Sequence, residues 1–384
     1  MSQEALAQRL AVERTTVARW EAGRSAPHPW ARPRLAKALD VTDDELDSIL
    51  VGEAADVPVT VDVVMFDRPT APGSTARRVG AAHVASVAAM TETFAQADHQ
   101  LGGGHARSTL RHYVRQVVTP LLSAAREDAV GRSLLIVAAR VYDLAGFMCF
   151  DSGHHEAARR YFTEGLRLAR AAGDGSIQAH ILGDMTMQAI YTGARRQALE
   201  LADAAVASAR PSGSAAVLAR ALALAARARA RAGDAVGADG VMFAAERALD
   251  GAPSGDDPSW IRFFTGEQLL TERLYVAADL GRTAEVESLA QTVLAEDAAM
   301  QRRHLLATAA VAAIYVPLPE ARSAVADPDR ALHLLRGVLP VMAELSTARG
   351  AAVVDSVRAR LAAYGMVPDL EHFDEQYRET LVRR

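Results

Sequence analysis

Cysteine is almost missing from this 384-residue chain: Cys149 stands alone, which excludes a disulfide framework and a Cys-rich zinc site. Lysine is scarcer than chance would leave it. Lys37 is the single one, and every other basic side chain is Arg. Aromatic residues are 5% of the total, too few for a core built on large rings. No basic-then-apolar segment opens the sequence, and no apolar run reaches the roughly 20 residues that a membrane span needs, so a soluble cytoplasmic protein is expected. Sequence signatures of catalysis are missing as well. There is no His-Glu-x-x-His, no nucleophile elbow and no dinucleotide fingerprint, and Gly102-Gly103-Gly104 lacks the following Lys-Ser/Thr of a phosphate loop. These gaps predict a protein that is not an enzyme and carries no cofactor.

What is present is alanine and helix. Half the residues are hydrophobic, Ala being the commonest, and Ala both favours helix and lets helices approach closely. A chain of this length exceeds one compact core, so two or more units are expected. Net charge is −5, but it is unevenly spread. Residues 1–39 hold seven Lys/Arg against three Glu, and residues 40–62 hold eight acids and no base. A small basic head on an acidic body suits a nucleic-acid-binding module.

The head has a helical pattern. Ser2 is a good N-cap for a helix with Ala5, Leu6 and Leu10 on one face, Val12 and Glu13 fall in a tight turn, and a second helix carries Val17 and Trp20 before Gly23 stops it. The run Ser2-Gln3-Glu4-Ala5-Leu6-Ala7, followed by Thr16-Val17-Ala18-Arg19-Trp20-Glu21-Ala22-Gly23-Arg24, resembles helices two and three of the phage-repressor-like (XRE) helix-turn-helix domain. That resemblance implies duplex DNA as a partner. The second helix would enter the major groove, with Thr15, Thr16 and Arg19 facing bases, Arg14 and Arg24 on phosphates, and Gln3 at the backbone or first base. Domains of that family usually open with one more helix, so the head reads as short at its N-terminus, and Leu6, Leu10, Val17 and Leu39 are expected to lose part of their cover.

Residues 51–76, with Pro58, Pro69, Pro72 and Gly73, read as a mobile connector. Beyond it the apolar spacing is helical, and a glycine-led pattern recurs at Gly153, Gly193 and Gly233, then at Gly281. Fixed periods of this size mean stacked helical pairs. Tyr142, Gly146, Gly153, Ala158 and Phe162 fall where the tetratricopeptide (TPR) repeat places aromatic, small, turn, small and aromatic residues, so the array resembles TPR repeats with lengthened helices. The expected organisation is all-α: a short helix-turn-helix at 1–52, a linker at 53–76, a helical cap at 77–129, and a TPR-like α-solenoid with C-terminal capping helices at 130–384.

In a TPR register the first helix of each pair lines a concave groove. Counting from the glycines places Asp143, Phe147, His180, Met187, Tyr191, Arg220, Arg227, Arg231, Gln268 and Tyr275 there, a mix suited to an extended peptide or its carboxylate. No metal site is expected, because adjacent His154 and His155 on a turn do not converge. An XRE head with a TPR-like array resembles the regulators of high-GC bacteria. The resemblance implies a dimeric transcriptional regulator whose repeats bind a peptide or protein partner. The alternative is an interaction scaffold with a degenerate helix-turn-helix that no longer binds DNA.

Overall fold

The computed structural model describes residues 2–10, 12–21, 32–39, 41, 79–126, 128–250, 257–295, 301–317, 326–364, 367 and 369–383. Every regular element among them is helical. The linker at 53–76 lies outside the described residues.

Three short helices form the head: α1 (Gln3–Leu10), α2 (Arg14–Glu21) and α3 (Arg32–Leu39). The Ser2 hydroxyl accepts from the Ala5 N–H at 3.2 Å, which is the N-cap read from sequence. Leu6, Leu10 and Val17 are buried, closing on Leu35 and Ala36 of α3 with Val12 and Trp20 beside them. The expected loss of cover is thus corrected for these three, because α3 folds across the hairpin. Leu39 is 41% exposed, as anticipated.

The body begins with α4 (Ala81–Leu101) and α5 (Gly103–Tyr113), which runs through a π-helical turn at Val114–Val118 into α6 (Thr119–Ala124). Helical pairs follow: α7 (Ala129–Asp151) with α8 (His155–Ala172), α9 (Gly175–Tyr191) with α10 (Arg195–Ala209), α11 (Ala215–Ala232) with α12 (Ala235–Asp250), α13 (Gly266–Asp279) with α14 (Thr283–Ala295), and α15 (Gln301–Ile314) with α16 (Pro328–Glu344). Then come α17 (Ala348–Ala363) and α18 (Leu370–Arg383), the latter packed on α16. The four turn glycines found by periodicity all have positive φ, 86°, 77°, 84° and 70° in chain order, a conformation that disfavours any side chain. Gly146 is small for another reason: a Cβ there would meet the Phe162 ring at 2.6 Å, the close α7–α8 approach that the repeat pattern implied.

By length and apolarity α7 would be able to cross a membrane, contrary to the sequence reading, yet 67% of its apolar window is buried inside the protein. It is the central core helix. Leu134, Ala138, Val141, Met148 and Phe150 are essentially inaccessible, each large side chain contributing about 1.5–3 kcal/mol of apolar burial.

The solenoid with a concave groove expected from the repeats is present, and its two ends meet. The inner helices α7, α9, α11, α13, α15 and α17 each pack on the next, and α17 packs back on α7, while α4 lies against α7 and α15. The seam is polar and buried. The Gly104 N–H donates to the Ser346 carbonyl at 2.9 Å, and the Ser346 N–H donates to that of Leu101 at 2.7 Å. Arg302 of α15 bridges Asp98 of α4 at 2.7 Å and Asp151 of α7 at 3.1 Å. Asp151 also accepts from Arg349 at 3.0 Å, the Thr347 hydroxyl at 3.1 Å and the Gly103 N–H at 3.0 Å. The triple glycine is therefore a helix-to-helix turn, as read, whose lack of side chains permits closure. A Cβ on Gly102 would meet the Ser346 carbonyl oxygen at 2.7 Å, and one on Gly103 would meet the Asp151 Cβ at 2.8 Å.

Candidate functional site

The ring of inner helices encloses a cavity of about 1310 Å³. All ten residues that the glycine register assigned to a groove line it: Asp143 and Phe147 from α7, His180, Met187 and Tyr191 from α9, Arg220, Arg227 and Arg231 from α11, and Gln268 and Tyr275 from α13. Their spacing of four or seven residues keeps one face of each helix inward. Sequence reading missed the rest of the wall. Asp184 and Glu272 sit four residues after His180 and Gln268, so extending the same register would have found them. Trp260 and Phe263, on the segment before α13, had no such signal. Neither did Arg302, Arg349 and Arg360 on α15 and α17, whose helices carry no turn glycine of the repeat.

One end of the cavity is a buried charge cluster. Arg220 donates to Asp184 in a close ion pair and to the His180 carbonyl at 3.2 Å, while its Nη1 also lies 3.2 Å from His180 Nδ1. His180 Nε2 lies 3.3 Å from Asp143 Oδ2. Arg140 is engaged elsewhere, with Glu92 of α4 at 2.8 Å and over the Trp260 ring at 5.5 Å. Trp260 packs against His180, with ring centroids 4.9 Å apart. Burial, outweighing the pull of Arg220 and Arg140, pushes the Asp143 carboxyl up to about 7. Burial and the Arg220 charge hold His180 down at about 3, so the imidazole is neutral. Asp143 Oδ1 is buried and accepts no hydrogen bond.

Asp143, His180 and Asp184 offer ligand atoms within 4.8 Å of one another, close enough for a metal ion. The hydrogen bonding argues against that use. Arg220 can only donate, so His180 Nδ1 must be the accepting nitrogen and Nε2 must carry the proton, which it presents to Asp143. A metal on Nε2 needs the opposite tautomer, with Nδ1–H pointed at a guanidinium. The cluster is a buried hydrogen-bonded network in which Asp143 Oδ1 is left without a donor.

The middle of the cavity is aromatic and soft. Arg302 and Arg349 lie over the Phe147 ring at 5.0 and 5.5 Å, Arg349 Nη1 approaches Met187 Sδ at 3.3 Å, and the Tyr191 hydroxyl donates to the Arg349 carbonyl at 3.3 Å. The other end is cationic. Arg227 lies over Tyr275 at 4.3 Å and faces Glu272 and Asp279 at 3.8 and 3.6 Å, beyond hydrogen-bond length. Arg231 pairs with Asp279 at 3.2 Å. Beside it stands half-buried Arg360, whose charge is disfavoured by burial and by Arg231. Among the described residues nothing neutralises it.

In the head, Arg14 and Thr15 are exposed at the start of α2 and Thr16 is half-buried behind them. The Thr15 hydroxyl donates to Glu13 at 3.0 Å, and Gln3 donates to Glu21 at 2.5 Å, tying the start of α1 to the end of α2. Arg19 belongs to α2, and Arg24 lies outside the described residues. Two helices are thus joined by a tight turn, the second with an exposed Arg-Thr start.

Residues 1–49 match the family model of a helix-turn-helix domain. The head is a helix-turn-helix. No curated protein matches the sequence. The helix-turn-helix points to DNA as a partner, in the manner of a DNA-binding regulator, and the all-α body supplies the cavity.

Proposed function

We propose that the chain is a transcriptional regulator that binds operator DNA through its helix-turn-helix and takes a peptide ligand into the helical ring. It is a non-enzymatic, cytoplasmic protein of the XRE type, and its helical pairs are diverged TPR repeats. The observation that carries the reading is the pairing of the helix-turn-helix with a closed ring whose six inner helices all turn polar and aromatic residues into one cavity. A volume of about 1310 Å³ suits a short peptide. Homodimerisation would present two heads to two half-sites, and the outer face of α12, where Val236 and Phe243 are 85% and 61% exposed, is an apolar surface for it. Ligand in the cavity would bias the seam and so the relation between heads.

The test is selection of a randomised duplex pool by the full chain, followed by binding of the enriched duplex at several salt concentrations. Enrichment of a two-part motif is expected, with affinity falling steeply as salt rises. Arg19→Ala should lose sequence preference, and Arg14→Ala should mainly lower the salt slope by about one contact. A chain that enriches no motif, and whose DNA retention is untouched by Arg19→Ala, would be the scaffold alternative instead.

A further inference from the structure

Resting on the reading that the cavity holds a peptide, we propose that it is a two-ended site for a short peptide with both termini free: Asp143 receives the ammonium group, and Arg231 with Arg360 receives the carboxylate. Two observations place the ends. Asp143 is a carboxylate with an 8% exposed side chain that lines the cavity, and its Oδ1 has no donor although every neighbouring cation is committed, Arg220 to Asp184 and Arg140 to Glu92. A buried acceptor left open in this way costs free energy unless a ligand supplies the donor. At the opposite end Arg360 is a cavity-lining guanidinium without a counter-ion among the described residues, set beside the like charge of Arg231. An incoming carboxylate relieves that repulsion and matches the planar fork of Arg.

The distance between the ends follows from one helix. Arg220, in the Asp143 cluster, and Arg231 are eleven residues apart on α11, about 16 Å at 1.5 Å per residue. An extended peptide advances about 3.3–3.6 Å per residue, so four or five residues span it. The aromatic middle, with Phe147, Tyr191 and Tyr275, receives side chains.

The pH dependence is set by every group facing Asp143: Arg140 on its own helix, His180 and Asp184 on α9, and Arg220 on α11, with Glu92 of α4 behind Arg140. His180 stays neutral down to about 3. Burial raises Asp184 as well as Asp143, against the pull of Arg220, and the two carboxyls are neighbours, so it is this pair, with Asp143 pushed up to about 7, that titrates near neutrality. An ammonium stabilises the ionised form of Asp143, so binding below pH 7 must expel a proton and weakens by up to about tenfold per pH unit. Above pH 8 an α-amino group loses its own proton, so affinity should peak between about pH 7 and 8.

The experiment is equilibrium dialysis of the full chain against a randomised pool of tetra- and pentapeptides, read by mass spectrometry. The same pool is also supplied N-acetylated and C-amidated. The free pool should be retained at least about tenfold better than the acetylated one, the size of a charge-assisted hydrogen bond. That ratio should peak near pH 7–8 and vanish in Asp143→Asn. C-amidation should cost about threefold in the wild type and nothing in Arg360→Gln. The pH series on wild-type protein keeps the test decisive if Asp143→Asn folds poorly. Equal retention of free and acetylated pools at every pH overturns the two-ended site while leaving peptide binding standing. Retention of no pool at all overturns both. Binding of one equivalent of zinc, lost in His180→Ala, would overturn it by giving the cluster to a metal.

Discussion

Two buried aspartates on the same helix, eight residues apart on α7, have opposite surroundings. Asp151 accepts from Arg302, Arg349, Thr347 and the Gly103 N–H, which fills both of its oxygens. Burial alone would push its carboxyl up, but the two guanidinium charges and those hydrogen bonds hold it below its ordinary value. Asp143 is also buried, has one oxygen unserved, and sits near 7. A saturated network fixes structure and an unsaturated one waits for a partner. The seam therefore reads as architecture and the cavity cluster as recognition, on chemistry set by neighbours rather than by residue type.

The comparison breaks most visibly at Asp151. Asp151→Ala leaves Arg302 and Arg349 facing each other across a buried seam without their shared anion. An unfolding free energy lower by about 3–5 kcal/mol is expected in urea titration, together with a larger radius in solution scattering as α17 parts from α7. A loss under about 1 kcal/mol with unchanged scattering would mean that the ring is closed by something other than this ion pair.

At Asp143 the opposite sign is expected. A carboxyl whose folded value is raised from 3.8 to about 7 favours the fold most when protonated. Its contribution is fully present below about pH 4 and is lost as pH rises through 7. Asp143→Asn removes that loss, so relative to wild type the variant should gain about 2 kcal/mol between pH 5 and pH 8. His180, lowered to about 3, works against the fold below pH 6.5 in both proteins and cancels in the comparison. Parallel pH–stability curves for the two proteins would remove Asp143 from its assigned state.

The unequal legibility of these two sites has a physical cause. The glycines at 153, 193, 233 and 281 mark turns that require positive φ, and once the turns are fixed the 3.6-residue period dictates which side chains face inward. That is why Asp143, His180, Arg220 and Tyr275 were readable as cavity residues from spacing alone. The seam was not readable. Asp98, Asp151, Arg302 and Arg349 meet across up to 204 residues of sequence, and no local pattern encodes a contact of that range. Nor was the closure: α15 and α17 lack the glycine signature, and their Arg residues look like ordinary solvated charge until the ring brings them to a buried carboxylate. In the head the cover over Leu6 and Val17 comes from α3, which follows Pro27 and Pro29 and carries Pro33 in its first turn, and whose fold across the hairpin no local pattern encodes.

A smaller effect tests whether the seam needs its close approach. Gly103→Ala places a Cβ 2.8 Å from the Asp151 Cβ and 2.9 Å from the Met148 carbonyl oxygen, both on the rigid α7. Since backbone must shift, about 1–2 kcal/mol of destabilisation is expected by calorimetry. Gly240→Ala, at an open helical position of α12, should instead be neutral to stabilising by a few tenths to about 1 kcal/mol. If the two substitutions behave alike, the seam is looser than its distances indicate.

The smallest expected effect is the most discriminating. Arg231 and Arg360 are neighbours at the cationic end, but among the described residues only Arg231 has an acid, Asp279, at 3.2 Å. Arg231→Gln gives up a partly exposed ion pair and should cost at most about 1 kcal/mol. Arg360→Gln gives up no ion-pair partner among the described residues and removes a like charge, so its unfolding free energy should stay within about 0.5 kcal/mol of wild type or rise slightly. The order of these two variants in a urea titration at low salt is the measurement. If Arg360→Gln is the more damaging, that guanidinium has a structural duty and is not held open for a ligand. If it is silent in stability yet erases the effect of C-amidation, the same side chain is shown to be idle in the fold and active in recognition, as the contrast between Asp151 and Asp143 requires.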